Sequence, residues 1–333
     1  MTPLAPHLTA FLQEHLPRDR RASVHTTEAY AYAFQLLLTF ASARLSTKPS
    51  ALAIEQLDAP LVLAFLTHLE TERKCSARTR NARLAAVRSF AHFVEGRVPA
   101  CLEHVRRLLA IPVKKTDERL VGYLSRDEMQ TVLDAPDPST RQGVRDRAML
   151  HLAFAGGLRV SELVGLLREH VTLQPEATIH VHGKGRRERR LPLWKQTATA
   201  LRAWLAVREP ARCPELFTNA RGTAMTRAGF EYILARHVER ARATQPTLAG
   251  KRVSPHVLRH TCAMHTLQAT HDIRKVALWL GHASVQTTEI YVRADPSEKL
   301  EALDTVVPPS LRRGTFRAPD RLLASLREPA TSP

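Results

Sequence analysis

Cysteine is scarce in this sequence, and no two cysteines are close together. The four residues Cys75, Cys101, Cys213 and Cys262 form no C-x-x-C pair. Disulfide-rich secreted domains and zinc knuckles both need cysteines at short, regular spacings. The sequence therefore argues against both classes, and we expect four reduced thiols.

Long apolar runs are missing as well. No stretch approaches the roughly 20 apolar residues of a membrane-spanning helix, and the N-terminal MTPLAPHLTAFLQEHLPRDRR lacks the apolar core of a signal peptide. We therefore expect a soluble, cytoplasmic protein with no membrane partner.

Acidic residues are few relative to basic ones. The chain has 32 Asp and Glu against 49 Lys and Arg, a formal net charge of +17, and Arg is far more frequent than Lys. Because a guanidinium donates to phosphate through a planar fork, this balance favours a nucleic-acid partner, and hence a nucleoid-associated protein. The plainer alternative is a GC-rich genome that places Arg on ordinary surfaces.

The first third of the chain has the apolar spacing of helices. With 44% apolar residues, the 333-residue chain can build a core in each of two domains. We predict a helical DNA-binding domain over residues 1–110. Its apolar stripes are Tyr30, Phe34, Leu37, Leu38 and Ala41, then Val62, Phe65, Leu66 and Leu69, then Leu84, Val87, Ala91 and Val94.

The third stripe belongs to a helix that is also basic. Arg78, Arg80, Arg83 and Arg88 fall on its other faces. A basic helix face is often merely solvated, but in a chain this basic we interpret these arginines as contacts to the DNA backbone.

A polar stretch with one proline and no periodicity, residues 111–120, is the predicted linker. The second domain, 121–333 with a C-terminal tail, begins with a capping-box pattern at Ser125 and Glu128. We predict a fold that is mainly α with a small β-sheet, in which a helical N-terminal domain precedes an α+β domain.

The predicted sheet is a β-hairpin. Residues 178–182 and 189–193 alternate between apolar and polar on either side of the turn Gly183-Lys-Gly185, which places Lys184 at the tip, followed by Arg186 and Arg187. A lysine on a turn can approach a phosphate and can give up a proton, and the neighbouring arginines are candidate DNA contacts. An ordinary charged hairpin is the alternative.

Two further segments place basic side chains at predicted helix starts. Arg159 follows two glycines in GGLRVSELV, where a helix start would favour an anion. His256 and Arg259 share one face of a helix that Ser254 and Pro255 begin. Surface or packing roles are the competing interpretations of each.

The last candidate segment, LGHASVQTTEIY, contains His282 and Tyr291. Tyr291 is one of only five tyrosines, and taken alone it is best explained as a packing residue. Combined, the segments supply two arginines, a lysine, two histidines and a tyrosine, with no carboxylate cluster to hold a metal.

Together these motifs resemble the signature of the tyrosine recombinases, the phage-type integrases and Xer-like proteins. The resemblance rests on GLRVSEL, GKGRRERRLPL, HVLRHTCAMH, LGHASVQTT and EIY and covers about residues 120–300. From Thr79, TRNARLAAVRSFAHF resembles more weakly the core-binding helix of that family. The resemblance implies a core-binding N-terminal domain and a catalytic domain with six catalytic residues, Arg159, Lys184, His256, Arg259, His282 and Tyr291, and a supporting role for Glu162.

The implied chemistry is attack of Tyr291 on a DNA phosphate. A tyrosine hydroxyl, with a pKa near 10, is a poor nucleophile at neutral pH, so we expect nearby cations to favour the phenolate and His256 to accept the proton. Arg159, Arg259 and His282 would stabilise the charge that builds on phosphorus-bound oxygens. Lys184 would protonate the leaving 5′ oxygen. Since a 3′-phosphotyrosyl link conserves bond energy, we expect no metal, ATP or other cofactor.

The expected partners are double-stranded DNA and further copies of this chain, a dimer on one site and a tetramer on paired sites, with related recombinases or accessory proteins as further candidates. Movement of a mobile element and Xer-like dimer resolution both remain open as biological roles.

The sequence leaves three other classes open: a type IB topoisomerase, a non-catalytic architectural DNA-binding protein and a histidine-based metallonuclease. The last is prompted by the His180-x-His182 pair, for which the sequence indicates neither a nearby carboxylate nor a third ligand.

Overall fold

The computed structural model describes residues 1–116, 121–183, 187–209, 213–282 and 284–295, and the chain divides into two units, Met1–Glu118 and Arg119–Pro333. Both units are mainly helical. Within the described ranges, no helix is long and apolar enough to cross a membrane. The predicted fold class, mainly α with one small sheet, is confirmed.

Side-chain caps define where the helices of the N-terminal unit begin. Ser23, Asp58 and Ser76 each accept a hydrogen bond from the backbone N–H three residues on, which satisfies a donor that the helix itself leaves free. The helices are α1 (Leu4–Ala10), continued by π-helical Phe11–Asp19, α2 (Val24–Leu45), α3 (Ala59–Thr71), α4 (Ala77–Glu95) and α5 (Leu102–Leu109), with 3₁₀ turns at Pro49–Ala51, Ile54–Gln56 and Pro99–Cys101.

The core of this unit is built from the predicted stripes. Every stripe residue on α3 and α4 is buried, while Tyr30 and Leu38 of α2 are only partly buried and pack against the core. A cluster of aromatic rings joins the helices, with centroids 5.3 to 6.2 Å apart among Phe11, Phe34, Phe90 and Phe93. Burial of each such ring contributes about 1.5–3 kcal/mol.

The arginines of α4 do not form one accessible face. Arg80 is 3% exposed, and its Nη1 donates to the carbonyl oxygen of Pro112 at 2.8 Å. Arg83 donates to the carbonyl of Ala29 and lies 4.8 Å above the ring of Tyr32. The prediction of a DNA contact is therefore wrong for Arg80, which instead holds the segment after α5 against α4. Arg78 is exposed and Arg88 is half-buried.

In the C-terminal unit, the predicted helix starts are confirmed. The Ser125 hydroxyl accepts from the Glu128 N–H at 3.2 Å while Glu128 accepts from the Ser125 N–H at 2.8 Å. Ser254 caps the helix that begins at Pro255. The helices are α6 (Arg126–Asp134), α7 (Arg141–Ala155), α8 (Val160–Val164), α9 (Lys195–Val207), α10 (Arg227–Arg242), α11 (Pro255–Thr270), α12 (Ile273–Leu280) and α13 (Glu289–Ala294), with 3₁₀ turns at Arg168–His170, Pro246–Leu248 and Val285–Thr287.

The hairpin is confirmed as part of a three-stranded antiparallel sheet. Its strands are β1 (Val171–Thr172), β2 (Thr178–His182) and β3 (Glu188–Pro192), in that order. β3 begins and ends one residue earlier than the alternation predicts, and β1 is too short to show a pattern. Lys184 and Arg186 lie outside the described residues, as does the tail from residue 296, while Arg187 is exposed.

Candidate active site

Tyr291 lies on α13 with its side chain buried. It is 1% exposed and packs in a small cluster with Met264, Leu267 and Leu280. Its hydroxyl is 3.0 Å from Nδ1 of His260. The ring therefore serves packing, and the hydroxyl also has a specific imidazole partner.

The partner of this hydroxyl is not the histidine that we expected. His256 is exposed near the start of α11, whereas His260 lies one turn further along the helix and is partly buried. Burial lowers the pKa of His260 to about 4, with the charges of His256 and Arg259 adding to the effect. At neutral pH the ring is uncharged, so a nitrogen lone pair can accept the proton of Tyr291. We expected His256 to face the hydroxyl, and the structure has His260 there instead.

Arg259 is fixed by two backbone carbonyls. It is 4% exposed, and its guanidinium donates to the carbonyl oxygens of Gly157 and Leu280, the latter at 2.8 Å. Gly157 has φ +52°, and a Cβ there would lie 2.5 Å from Cδ2 of Leu280, so any other residue would be strained and would have to displace Leu280. Burial lowers the pKa of Arg259 to about 10, helped by the charge of Arg159, and the group stays a cation at neutral pH.

Arg159 immediately precedes α8 and is held by Glu162. Nη1 of Arg159 donates to Oε1 of Glu162 at 2.8 Å, and its backbone N–H donates to Oε2 at 3.0 Å. Arg189 on β3 binds the same carboxylate through Nη2 at 2.8 Å. Burial alone would raise the pKa of Glu162, but the hydrogen bonds and charges of Arg189 and Arg159 outweigh it and keep the pKa below its usual value.

Arg189, like His260, is a site residue that sequence reasoning missed. It pairs with Val181 in the sheet, and the neighbouring pair Ile179 and Leu191 shows that this face of the hairpin is buried. A charged residue at an inward position of an alternating strand is a detectable signal, since it needs a buried partner. Here the partner is Glu162.

His282 completes the group around the hydroxyl. It follows Gly281, which has φ +64° at the end of α12, and its Nδ1 is 2.8 Å from Oγ1 of Thr288. Its ring is nearly parallel to that of Tyr291, with centroids 6.5 Å apart. Burial lowers the pKa of His282 to about 4, together with the charges of Arg259 and Arg159.

Burial, rather than the nearby cations, controls the ionisation of Tyr291. Burial raises its pKa to about 12, although Arg259 and Arg159 pull in the opposite direction. The cations do favour the phenolate, as expected, but in this conformation burial outweighs them. The hydroxyl retains its proton, and attack on an electrophile needs a base such as His260.

The structure thus brings four of the six predicted residues together, and His260, Glu162 and Arg189 join them. His256 lies at the exposed side of the same helix, and Lys184 is outside the described residues. The described side chains around Tyr291 supply no set of three free metal ligands, because Glu162 is already bound by two arginines.

Comparisons with known proteins identify the family. A profile of the phage integrase family matches residues 122–298, and one of the phage integrase N-terminal SAM-like domain matches residues 8–97. This chain belongs to the phage integrase family.

Other members of the phage integrase family match nearly the whole chain. A candidate integrase/recombinase of Sinorhizobium fredii, y4rC, is 44% identical over 325 residues, covering 97% of each chain. The tyrosine recombinase XerC of Pelobacter propionicus is 33% identical over 310 residues, 92% of this chain and 97% of the relative. The resemblance to tyrosine recombinases is confirmed, and this family member is an enzyme of that class.

Solved structures of integrase-like proteins share the fold. The XerH recombinase bound to its difH substrate before cleavage is 25% identical, with a TM-score of 0.61 over 89% of this chain and 84% of XerH. The Tn1549 transposon integrase in complex with transposon right-end DNA has a TM-score of 0.65 at 16% identity, over 89% of this chain and 99% of the integrase chain.

Proposed function

We propose that this phage integrase family member cleaves and rejoins double-stranded DNA at specific sites, with Tyr291 as the nucleophile. The observation that carries the proposal is the Tyr291 hydroxyl, 3.0 Å from a neutral His260 and within the field of Arg159 and Arg259. A tyrosine kept only for packing would need neither the imidazole nor the two cations.

The proposed reaction forms one bond and breaks one. The Tyr291 oxygen attacks phosphorus, the P–O5′ bond breaks, and a 3′-phosphotyrosyl link results. The hydroxyl proton passes to His260, and Lys184 supplies a proton to the 5′ oxygen. The link is again a phosphodiester, so a free 5′ hydroxyl reverses the step without ATP.

Arg159, Arg259 and His282 stabilise the charge on the non-bridging oxygens. Their positions are fixed before substrate arrives, Arg259 by two carbonyls and Arg159 by Glu162, so little reorganisation is needed in the transition state. We propose that His256, which is exposed on α11, contacts the same phosphate from the solvent-exposed side of this helix. Because Tyr291 is 1% exposed, DNA binding must uncover its hydroxyl.

We propose that each domain inferred from the sequence has its own role. Residues 1–110 form the core-binding domain, 111–120 the linker and 121–333 the catalytic domain with its tail. Arg78, Arg83, Arg88, Arg186 and Arg187 are the remaining proposed DNA contacts. The protein would act as a dimer on one site and a tetramer on paired sites, alone or with related recombinases or accessory proteins, in the cytoplasm at the nucleoid.

Two biological roles fit the relatives. Similarity to the Sinorhizobium integrase/recombinase favours integration, excision or transposition of a mobile element. Similarity to XerC supports resolution of chromosome or plasmid dimers as the alternative.

A covalent adduct tests the proposal. Wild type is incubated with nicked suicide substrates carrying candidate sites, in excess chelator, and denatured before electrophoresis. We expect a protein–DNA adduct in wild type and none in Tyr291→Phe. Tyr232→Phe is the matched control, since Tyr232 is 68% exposed on α10 and should keep the adduct. An adduct that persists in Tyr291→Phe would overturn the nucleophile assignment.

A further inference from the structure

Three histidines and a glutamate gather on the outer face of the sheet, away from the Tyr291 hydroxyl's contacts. Nε2 of His180 is 3.0 Å from Oε2 of Glu188, and Nδ1 of His182 is 3.3 Å from Oε1 of the same carboxylate. The rings of His180 and His182 are 4.6 Å apart, and the ring of His170 lies 4.7 Å from that of His182 and 5.8 Å from that of His180.

The strand register explains why these residues meet. His182 and Glu188 are cross-strand partners, and His180 is two residues from His182 on the same face. His170 ends the 3₁₀ turn just before β1, which pairs with β2 from Val171 opposite Ile179, so residue 170 falls beside 180. The sequence pattern showed only the His-x-His pair. From the sequence we assumed that neither a carboxylate nor a third ligand lies near this pair, and that assumption is wrong.

The spacing of these atoms suits a divalent cation. One ligand atom from each of His180, His182 and Glu188 lies within 4.8 Å of the others. Tetrahedral zinc with ligand bonds of about 2.0–2.1 Å needs ligand atoms roughly 3.3 Å apart, so side-chain rotations are enough to close the shell. Imidazole nitrogens with one carboxylate are a set that zinc and related first-row metals prefer.

We propose that His180, His182 and Glu188 bind a divalent first-row cation, Zn²⁺ in the first place, with His170 as the fourth ligand. All four side chains are partly or well exposed, from 19% for His170 to 56% for Glu188, so the cation can enter from solvent. Among the described residues of β2 and β3, Arg190, opposite His180, is the one cation on this face, and it is exposed, so it can turn toward water.

Cation binding would link the residues on either side of the hairpin turn. His182 precedes and Glu188 follows the residues that include Lys184. A cation that bridges this pair fixes the separation of the strand ends. Cation binding itself does not depend on the proposed recombinase chemistry, whereas an effect on DNA cleavage through Lys184 does.

The test measures Zn²⁺ binding to the untagged full-length chain by isothermal titration calorimetry, with a reductant that does not chelate zinc. We expect wild type to bind Zn²⁺ at one site. The affinity of this site should fall about tenfold or more in His182→Gln and in Glu188→Gln, since even indirect partners of metal ligands contribute about 10–100-fold to affinity. His92→Gln is the matched control: His92 makes a similar exposed pair with Glu95, at 3.3 Å, without neighbouring imidazoles.

Co²⁺ gives a second, spectroscopic readout. Wild type with Co²⁺ should show the visible absorption of a four-coordinate site, and His180→Gln should lose it while its metal-free circular dichroism matches that of wild type. Absence of a wild-type site, or equal affinity in wild type and both His182→Gln and Glu188→Gln, would overturn the proposal. Loss of binding in His92→Gln as well would also overturn it, because the zinc would then be held by scattered surface histidines.

Adduct formation with and without Zn²⁺ separates this inference from the recombinase assignment. A Zn²⁺ effect in wild type that is absent in Glu188→Gln supports coupling through the hairpin. Zn²⁺ binding in a protein that forms no adduct would leave the metal site standing and count against the proposed function alone.

Discussion

Two glutamates of the C-terminal unit make the same kind of contact in opposite surroundings. Glu162 accepts hydrogen bonds from Arg159 and Arg189 with its side chain 3% exposed, and Glu188 lies against two histidines, His180 and His182, with its side chain 56% exposed. Burial makes the first contact a fixed part of the proposed phosphate site, since breaking one side of a buried ion pair leaves an uncompensated charge. The second remains open to water and to a competing cation.

Removing each carboxylate in turn tests this difference. The Glu162 variant should show the largest effect of those predicted, on the free energy of unfolding. Glu162→Ala leaves two arginines close together in a largely buried site, and we expect a loss of about 3–5 kcal/mol in the free energy of unfolding. Glu188→Ala is the matched control and should cost less than about 1 kcal/mol without added metal. Urea denaturation measures both. Equal losses in the two variants would show that burial does not distinguish them.

The same contrast applies to two of the three histidines of α11, His260 at the hydroxyl and His256 at the surface. We expect His260→Ala to slow single-turnover cleavage by about 10²–10⁴-fold, the usual contribution of a general base. Because the pKa of Tyr291 is about 12, the residual rate should rise about tenfold per pH unit near neutrality, as the solvent removes the proton.

His256→Ala is the comparison variant for this experiment. It should lower the rate without introducing that pH dependence, because its proposed role is contact with the phosphate. A steep pH dependence in His256→Ala and none in His260→Ala would restore the assignment that the sequence alone suggested.

The sequence predicted what depends on local pattern. Helix starts at Ser125 and Ser254, the apolar stripes of α3 and α4, and the hairpin all follow from spacing and capping, and the structure has them. The recombinase motifs identified the family because several segments matched in one order.

What the sequence could not give depends on which residues the fold brings together. His256 and His260 are both within one turn of Arg259, and only the packing of α13 against α11 decides which ring meets the hydroxyl. Arg80 lies on the same helix as the exposed Arg78, two residues away, yet the chain after α5 covers Arg80. The cross-strand register, rather than the His-x-His pattern, brings Glu188 to the histidines.

The smallest predicted effect is the dependence of stability on pH, and it too separates buried from exposed groups. Burial lowers the pKa values of His260 and His282 to about 4, against about 6.5 in an unfolded chain. As pH falls from 6.5 towards 4, the unfolded chain binds protons that the folded protein does not. The unfolding free energy should therefore be fully present above pH 6.5 and decline below it.

At pH 5 we expect this decline to be about 1 kcal/mol for each of the two histidines, since both are partly solvated. Urea denaturation at pH 7, 6 and 5 measures it. In His260→Gln the decrease in unfolding free energy between pH 7 and pH 5 should be smaller than in wild type by the contribution of one histidine. His92→Gln, at an exposed position on α4, should show the same decrease as wild type. The lowered pKa of Glu162 affects stability only below its unfolded value near 4.5, so it does not contribute between pH 7 and pH 5.

A wild-type stability that is flat from pH 7 to pH 5 would mean that His260 and His282 take up protons in the folded protein. The base facing Tyr291 would then be charged, and the hydroxyl would have no acceptor for its proton.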